Sequence, residues 1–486
     1  MAVVLALLAG FLLSCAFAPL SLWWSAPIAI TLLLKLLDRH NFRKRCILVA
    51  SFSVAFFIPL LHWTSTYVGS IPWLILALGE AAFLLPLALL PIGKRGVVFY
   101  FPSLWVAVEV ARSLLPFGGF GWGRVGFSQS GSPYAKIASI TGVSGLSFLV
   151  CSISVSFYLL LKGDRLLISI SFVFVVAQLA SVGIQTTSNN SSGHISVLAV
   201  QGGVPQLGLN FNERATAVFT NHLKLTREYF KTHTDKVDLV VWPENSVDVD
   251  PFTDIYERNS LQQLVDTSGV PIIIGAVLQG PNGPQNASIL WMPGKGATST
   301  YIKMHLTPFG EYMPMRALAE FISPYAKNVV DFIPGKTHLI HKVGSARLAP
   351  VICYELVDDQ LSRAMNVPAN VMLVQTNSAT FGLSAESAQE LEIVRVRAIE
   401  HQRYAVSIST SGVSAIIDNN GKVLAQTRQN VPKVLRYDLA LNSSRSVADR
   451  LGNSAEILII VAPLFISIVL LLPQRISALN RRRRVK

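Results

Sequence analysis

Charge is scarce in this chain. Asp, Glu, Lys and Arg make up 14% of 486 residues, where ordinary soluble domains carry about 25%. Cysteine is scarce as well: Cys15, Cys46, Cys151 and Cys353 are the whole set, and the first three lie in or beside apolar runs. Four such residues build neither a disulfide framework nor a CxxC metal motif. No Lys or Arg precedes Lys35. The basic leader of a cleavable signal is therefore missing, although Leu12-Leu13-Ser14-Cys15 has a lipoprotein-like look, and a retained first helix is expected. There is no internal repeat and no low-complexity tract.

Apolar residues are abundant instead, at 51% with a mean hydropathy of +0.46. Such a composition predicts several membrane spans. The net charge of +13 does not point to nucleic acid, because the basic residues cluster beside apolar runs: Arg39 with Arg43-Lys44-Arg45, Lys94-Arg95, and Arg481 to Arg484. That is the pattern of cytoplasmic membrane loops.

Seven apolar segments, near 2–18, 22–37, 46–63, 72–92, 97–114, 135–161 and 166–185, precede an eighth at about 456–472. Each approaches the roughly 20 residues a spanning helix needs. The linkers 38–45, 93–96 and 162–165 hold four, two and two basic residues, and the tail 473–486 holds six. The linkers 19–21 and 64–71 hold none, and 115–134 holds only Arg124. Placing the basic linkers in the cytoplasm lets all eight spans alternate without conflict, with both termini inside and the long segment between spans seven and eight outside. The predicted organisation is a seven-span region (1–188), an extracytoplasmic domain (193–443), an eighth span (454–473) and a basic cytoplasmic tail (474–486). Glu80 and Glu109 fall inside predicted spans, and a Glu109–Arg112 pair one turn apart is the expected way to hold that charge.

The 193–443 segment has another texture. Short apolar strands at His194–Val200, Val237–Trp242, Pro271–Val277, Leu348–Cys353, Val371–Gln375 and Ala405–Thr410 alternate with helical stretches such as Ala215–Thr232 and Ala385–Gln402. Asp418-Asn419-Asn420-Gly421 reads as a hairpin turn. Asn189–Gly193 is a polar linker before the domain. An α/β domain of about 250 residues is expected.

Three residues in this domain stand at or near strand ends, where α/β folds display reactive groups. Glu244 follows Leu239-Val240-Val241-Trp242-Pro243, Lys303 opens Lys303-Met304-His305-Leu306, and Cys353 ends Leu348-Ala349-Pro350-Val351-Ile352. Singly they read as a turn acid, a surface lysine and a core cysteine. Together they are a base, a cation for developing negative charge, and a thiol nucleophile. His305 fits a packed, hydrogen-bonded role better than that of a base.

The segment 193–443 resembles the nitrilase superfamily, and nearly the whole chain resembles that superfamily's membrane-embedded branch, the apolipoprotein N-acyltransferases. The matching pieces are Val200-Gln201-Gly202 with Pro205-Gln206, Trp242-Pro243-Glu244, Asn286, Lys303 with His305-Leu306, and Pro308-Phe309-Gly310-Glu311-Tyr312. Cys353-Tyr354-Glu355, Asn377, Phe381-Gly382 and the stretch from Arg395 to Glu400 complete them. The resemblance implies an αββα sandwich beside a membrane helix bundle. It implies Glu244 as general base, Lys303 as oxyanion stabiliser and Cys353 as acylated nucleophile. Glu311 would be a second, orienting acid, Asn286 a supporting hydrogen-bonding residue, and Tyr354 and Glu355 would shape the acyl pocket. It implies a phospholipid donor, a diacylglyceryl-cysteine apolipoprotein acceptor, an inner-membrane setting, and no cofactor, metal or nucleic acid. The chain departs from the family at Leu209-Asn210-Phe211 and at Ser378-Ala379-Thr380, both in expected substrate loops.

The apolar stretch Met313–Pro334 reads equally as a lid dipping into lipid or as a core-packed helix and loop. The linker Pro116–Tyr134 reads equally as an entry wall or as plain loop. On the residues alone, a tethered amidase and a transporter or scaffold with a binding-only domain stay open as rivals.

Overall fold

The computed structural model describes residues 1–92, 96–184, 191–204, 211–322, 326–327 and 329–466. Outside them lie Lys94-Arg95, Asn189-Asn190 of the linker, Pro205-Gln206, Leu209-Asn210, Tyr325, the end of the eighth apolar segment and the whole basic tail. The chain forms two units. One comprises Met1–His62, Trp73–Thr186 and Ser446–Lys486; the other comprises Trp63–Pro72 and Thr187–Arg445.

In the first unit a helix occupies each of the eight apolar segments. They are Ala2–Ser14, Ser25–Asp38, Phe42–Leu60, Ser70–Ala82 with the 3-10 turn Leu85–Leu89, Val97–Leu114, Ala138–Lys162, Arg165–Ala180 and Asn453–Ile466. Among the described residues, three are long and apolar enough to cross a membrane: Ser70–Leu89, Val97–Leu114 and Ala135–Lys162. Phe42–Leu60 has the length but begins on Arg43, Lys44 and Arg45. Ala2–Ser14, Arg165–Ala180 and Asn453–Ile466 are apolar but shorter.

The expected Glu109–Arg112 pair does not form. Arg112 Nη1 lies 3.0 Å from Glu80 Oε2 and donates to the carbonyls of Phe120 (2.9 Å) and Trp122 (2.6 Å). Glu109 Oε1 accepts from Trp105 Nε1 (3.0 Å) and Val125 N (2.7 Å), and its Oε2 lies 3.9 Å from Arg124 Nε. A buried guanidinium carries five donors and needs more acceptors than one carboxylate supplies. The linker Pro116–Tyr134 provides two further acceptors for Nη1, so its Phe120 and Trp122 carbonyls are tied to the helix that bears Arg112.

The second unit is built on two six-stranded sheets. In chain order the strands are β1 (Ser191–Gln201), β2 (Leu239–Val241), β3 (Ile272–Gly280), β4 (Gly283–Met292), β5 (Gly296–Ile302), β6 (His341–Val343), β7 (Ala346–Ile352), β8 (Val371–Thr376), β9 (Tyr404–Ser409), β10 (Ala415–Ile417), β11 (Val423–Gln426) and β12 (Lys433–Asn442). The first sheet runs β12-β1-β2-β3-β4-β5 and the second β11-β10-β9-β8-β7-β6. β1, β2 and β3 are mutually parallel, as are β7, β8 and β9, and each sheet finishes in antiparallel neighbours.

Strand alternation sets the layers. Val197 and Ala199 of β1, with Leu239, Val241, Ile273 and Leu290, meet Leu348, Val371, Leu373, Val406 and Ile408 of the opposite sheet. Leu198 and Val200 point the other way, into a cluster with Phe219 and Leu223 of the helix Phe211–Thr232 and Leu261, Leu264 and Val265 of the helix Ile255–Ser268. On the far face, Ala349 and Ile352 of β7 pack with Leu361 and Met365 of the helix Asp359–Asn366. The order is helix, sheet, sheet, helix, as the αββα expectation required. Each fully buried aliphatic side chain stabilises it by about 1.5–3 kcal/mol. The hairpin turn is where the sequence places it: Asp418 N donates to Lys422 O (2.9 Å), and Gly421 takes the positive φ (+77°).

Candidate active site

The first sheet supplies a base and a cation. β2 stops at Val241, and Trp242-Pro243 lead the chain off the sheet edge to Glu244. Trp242 is wholly buried, its Nε1 donates to Thr226 Oγ1 (3.0 Å), and its carbonyl accepts from Gln375 Nε2 (2.7 Å). The chain before Glu244 is thereby held by the helix Phe211–Thr232 and by the second sheet, while Trp242 N donates to Ile273 O of its own sheet (2.8 Å). Lys303 is the first residue after β5, and its N–H donates to the carbonyl of Asn286 on β4 (2.8 Å).

Glu244, Lys303, Glu311 and Asn286 form one network. Lys303 Nζ lies 2.8 Å from Glu311 Oε2 and 3.4 Å from Glu244 Oε1. Asn286 Nδ2 donates to both acids, at 2.6 Å to Glu244 and 2.9 Å to Glu311. Thr307 N donates to Glu311 Oε2 (2.8 Å). Glu244 and Lys303 are 4% and 1% exposed, so these charges act through little water.

Cys353 comes from the second sheet. It follows β7 directly and opens the 3-10 turn Cys353–Val357 with φ +49°, a left-handed conformation that side chains rarely adopt. Strain of this kind is found at functional sites. Burial pushes the thiol well above its ordinary range, as does the Glu244 carboxylate, while Lys303 pulls it down. A thiol of this kind stays protonated at rest and needs a base at the moment of attack. Burial, with the Glu311 charge, raises the Glu244 carboxyl against the opposing pull of Lys303. Burial also works against ionised Glu311, but Lys303, Asn286 and Thr307 N hold that carboxyl below its usual value. Lys303 stays firmly protonated, because Glu311 and Glu244 outweigh its loss of water.

The other expected site residues are placed differently. Glu355 is fully buried and encircled by donors: Tyr301 OH (2.7 Å), Met304 N (2.7 Å) and His305 N (3.3 Å) on Oε1, and Ile352 N (2.8 Å) on Oε2. It clasps the Lys303 loop to the Cys353 turn. Tyr354 is 3% exposed and meets the His305 ring edge-on at 5.3 Å. His305 Nδ1 lies 2.9 Å from Asp358 Oδ2, the structural partnership its context suggested.

Met313–Pro334 divides between its two readings. Met313, Ala326 and Val329 pack together, and Arg316 pairs with Asp331 at 2.6 Å. Met315, Leu318 and Phe321 of the same stretch are 56%, 50% and 89% exposed. In the Asn377–Gly382 loop, Asn377 Oδ1 accepts from Ala379 N and Thr410 Oγ1.

Two acids went unnoticed in the sequence. Glu386 and Glu390, on the helix Glu386–His401, are each 3% exposed. Both act electrostatically on Cys353 and both feel Glu244. Their spacing of four is the one available signal, and acids at that spacing normally mark a solvated face. No group of three His, Cys, Asp or Glu suited to a metal ion occurs among the described residues.

Residues 9–156 match the apolipoprotein N-acyltransferase N-terminal domain, and residues 198–449 match the carbon-nitrogen hydrolase domain. A Mycolicibacterium smegmatis protein named apolipoprotein N-acyltransferase is 31% identical, over 95% of this chain and 84% of its own length. Like-named proteins of Shewanella oneidensis and Geobacter metallireducens are 28% and 27% identical, over 96% and 93% of this chain and 95% and 91% of their own. A Nesterenkonia sp. amidase structure aligns with 52% of this chain and 92% of its own at 16% identity and a TM-score of 0.39, and the assignment does not rest on it. Kinship that extends through the apolar helices and the sandwich alike leaves one conclusion: the chain belongs to the apolipoprotein N-acyltransferase family.

Proposed function

We propose that the protein moves an acyl chain from a membrane phospholipid to the α-amine of a diacylglyceryl-cysteine on an apolipoprotein, by way of a thioester on Cys353. The observation that carries this reading is the buried Glu244–Lys303–Glu311–Asn286 network acting on a strained, strand-end thiol.

Glu244 takes the thiol proton as Sγ attacks the ester carbonyl. Lys303 offsets charge on the tetrahedral oxyanion, where low water content magnifies its effect. Glu244 then gives the proton to the departing glycerol oxygen. In the second half, the amine attacks the thioester, the C–S bond breaks, and Glu244 carries the amine's proton toward sulfur. Asn286 and Glu311 hold the two charged partners in register. In this reading all eight apolar helices lie in a bacterial inner membrane with both termini cytoplasmic, and the sandwich faces outward, where both lipid substrates are anchored. The exposed side chains of Met315, Leu318 and Phe321 suit a segment that touches lipid.

Intact mass of the purified protein after exposure to phospholipid tests this. Wild-type protein should gain one acyl chain, which hydroxylamine removes. Cys353→Ser and Glu244→Ala should gain none. Unmodified wild-type protein that steadily releases free fatty acid would instead identify a hydrolase.

A further inference from the structure

We propose that Glu386 and Glu390 form the subsite that receives the acceptor's primary ammonium group and takes its proton before transfer. The assignment rests on the transferase reading above and adds the residues that handle the second substrate.

The two acids stand four apart on the helix Glu386–His401, so they share one face. Arg397, on the same face two turns further on, donates its Nε–H to the carbonyl of Leu356 in the Cys353–Val357 turn (2.8 Å), so the helix packs on the turn that holds the nucleophile, and the charges of both acids reach Cys353. Neither forms an ion pair among the described residues, unlike Glu311 and Glu244, which share Lys303. Glu386 Oε2 and Glu390 Oε1 are buried and have no hydrogen-bond partner among the described residues, and Thr376 Oγ1 is in the same state. Buried acceptors left empty are costly and rare. Two of them beside a nucleophile call for a ligand that brings donors and positive charge. A primary ammonium brings three N–H donors and one charge.

The chemistry requires such a site. An α-amino group has a pKa of about 7.7–8.0 and is mostly protonated at neutral pH, when it cannot attack a thioester. Burial lifts the Glu386 carboxyl to about 7. Proton passage from ammonium to the Glu386 carboxylate is then nearly balanced in free energy. The free amine forms the C–N bond and the C–S bond breaks. The second nitrogen proton goes through Glu244 to sulfur, and Glu386 later releases its proton to water. Burial and the Glu386 and Glu244 charges also raise the Glu390 carboxyl well above its ordinary value.

The test separates the two half-reactions. Wild-type, Glu386→Gln and Glu390→Gln proteins are loaded with acyl chain from phospholipid micelles. Each is then mixed with a synthetic diacylglyceryl-cysteine peptide or with hydroxylamine, which is uncharged at neutral pH. With Glu386→Gln, the ratio of peptide transfer to thioester formation should fall at least tenfold. Hydroxylamine should still discharge the thioester at close to the wild-type rate. The pH limb near 7 in peptide transfer should disappear, leaving the limb set by Glu244, Lys303 and Glu311. Equal loss toward both nucleophiles, or an unchanged ratio, overturns the subsite assignment alone. Wild-type protein that never forms a thioester overturns the transferase reading, and this assignment with it.

Discussion

Glu244 and Glu311 share one lysine unequally. The shorter contact, 2.8 Å against 3.4 Å, goes to Glu311, whose carboxyl is held low while Glu244's is raised. The base is thus the group left ready to pick up a proton. Thioester formation needs ionised Glu244, so its rate should climb as pH rises through a value above the ordinary carboxylate range, and fall as pH drops through it. Glu311→Gln removes a neighbouring negative charge and leaves Lys303 to Glu244 alone. That acid limb should move to lower pH. The maximal rate should drop about 100-fold, as Lys303 and Asn286 lose their second anchor. Single-turnover acylation measured across pH checks both effects, and a stationary limb would remove Glu311 from control of Glu244. At this scale the sequence was informative where an unusual residue ended an apolar strand, as at Glu244 and Cys353. It was silent on Glu386 and Glu390 because helical acids are usually solvated. It misassigned Arg112 because the true partner, Glu80, is 32 positions away.

Among the elements, the β7 strand and the turn after it do two jobs at once. Ile352 N and the backbone at Met304 and His305 all donate to the Glu355 carboxyl. One side chain therefore pins the Cys353 turn to the loop that begins at Lys303. Glu355→Gln keeps the shape but turns a dual acceptor into a group with one acceptor oxygen and one NH2. Ile352 N or the Tyr301–Met304 pair would then face a donor. A loss of about 2 kcal/mol in stability is expected, read as a lower thermal midpoint in detergent, together with slower acylation. An unchanged midpoint would mean that the clasp is dispensable. The hairpin Asp418–Gly421 and the parallel strands were legible because turn chemistry and apolar runs are local. The clasp was not, since it joins groups 50 residues apart through backbone N–H atoms that every sequence has.

For the molecule as a whole, the proposed topology has the 193–443 domain on the far side of the membrane from the tail. Impermeant thiol labelling of engineered single cysteines in whole cells should mark exposed sandwich positions such as Ser443 and leave the Arg481–Arg484 region unlabelled. Labelling of that tail from outside would reverse the topology. Among the described residues, three helices meet the measure of length and apolarity, while Phe42–Leu60 has the length but carries charge in its first turn.

The nucleophile and its activating charges belong to different sheets: Glu244, Asn286 and Lys303 to one, Cys353 to the other. Their alignment is consequently a matter of mechanical registry between two stacked plates. A slide of one residue along the strands displaces side chains by about 3.3 Å, more than a hydrogen bond tolerates, yet it need not melt either sheet. Catalysis would then report shear within the sandwich before spectroscopy reports unfolding. In a denaturant series, turnover should vanish while strand content is still intact.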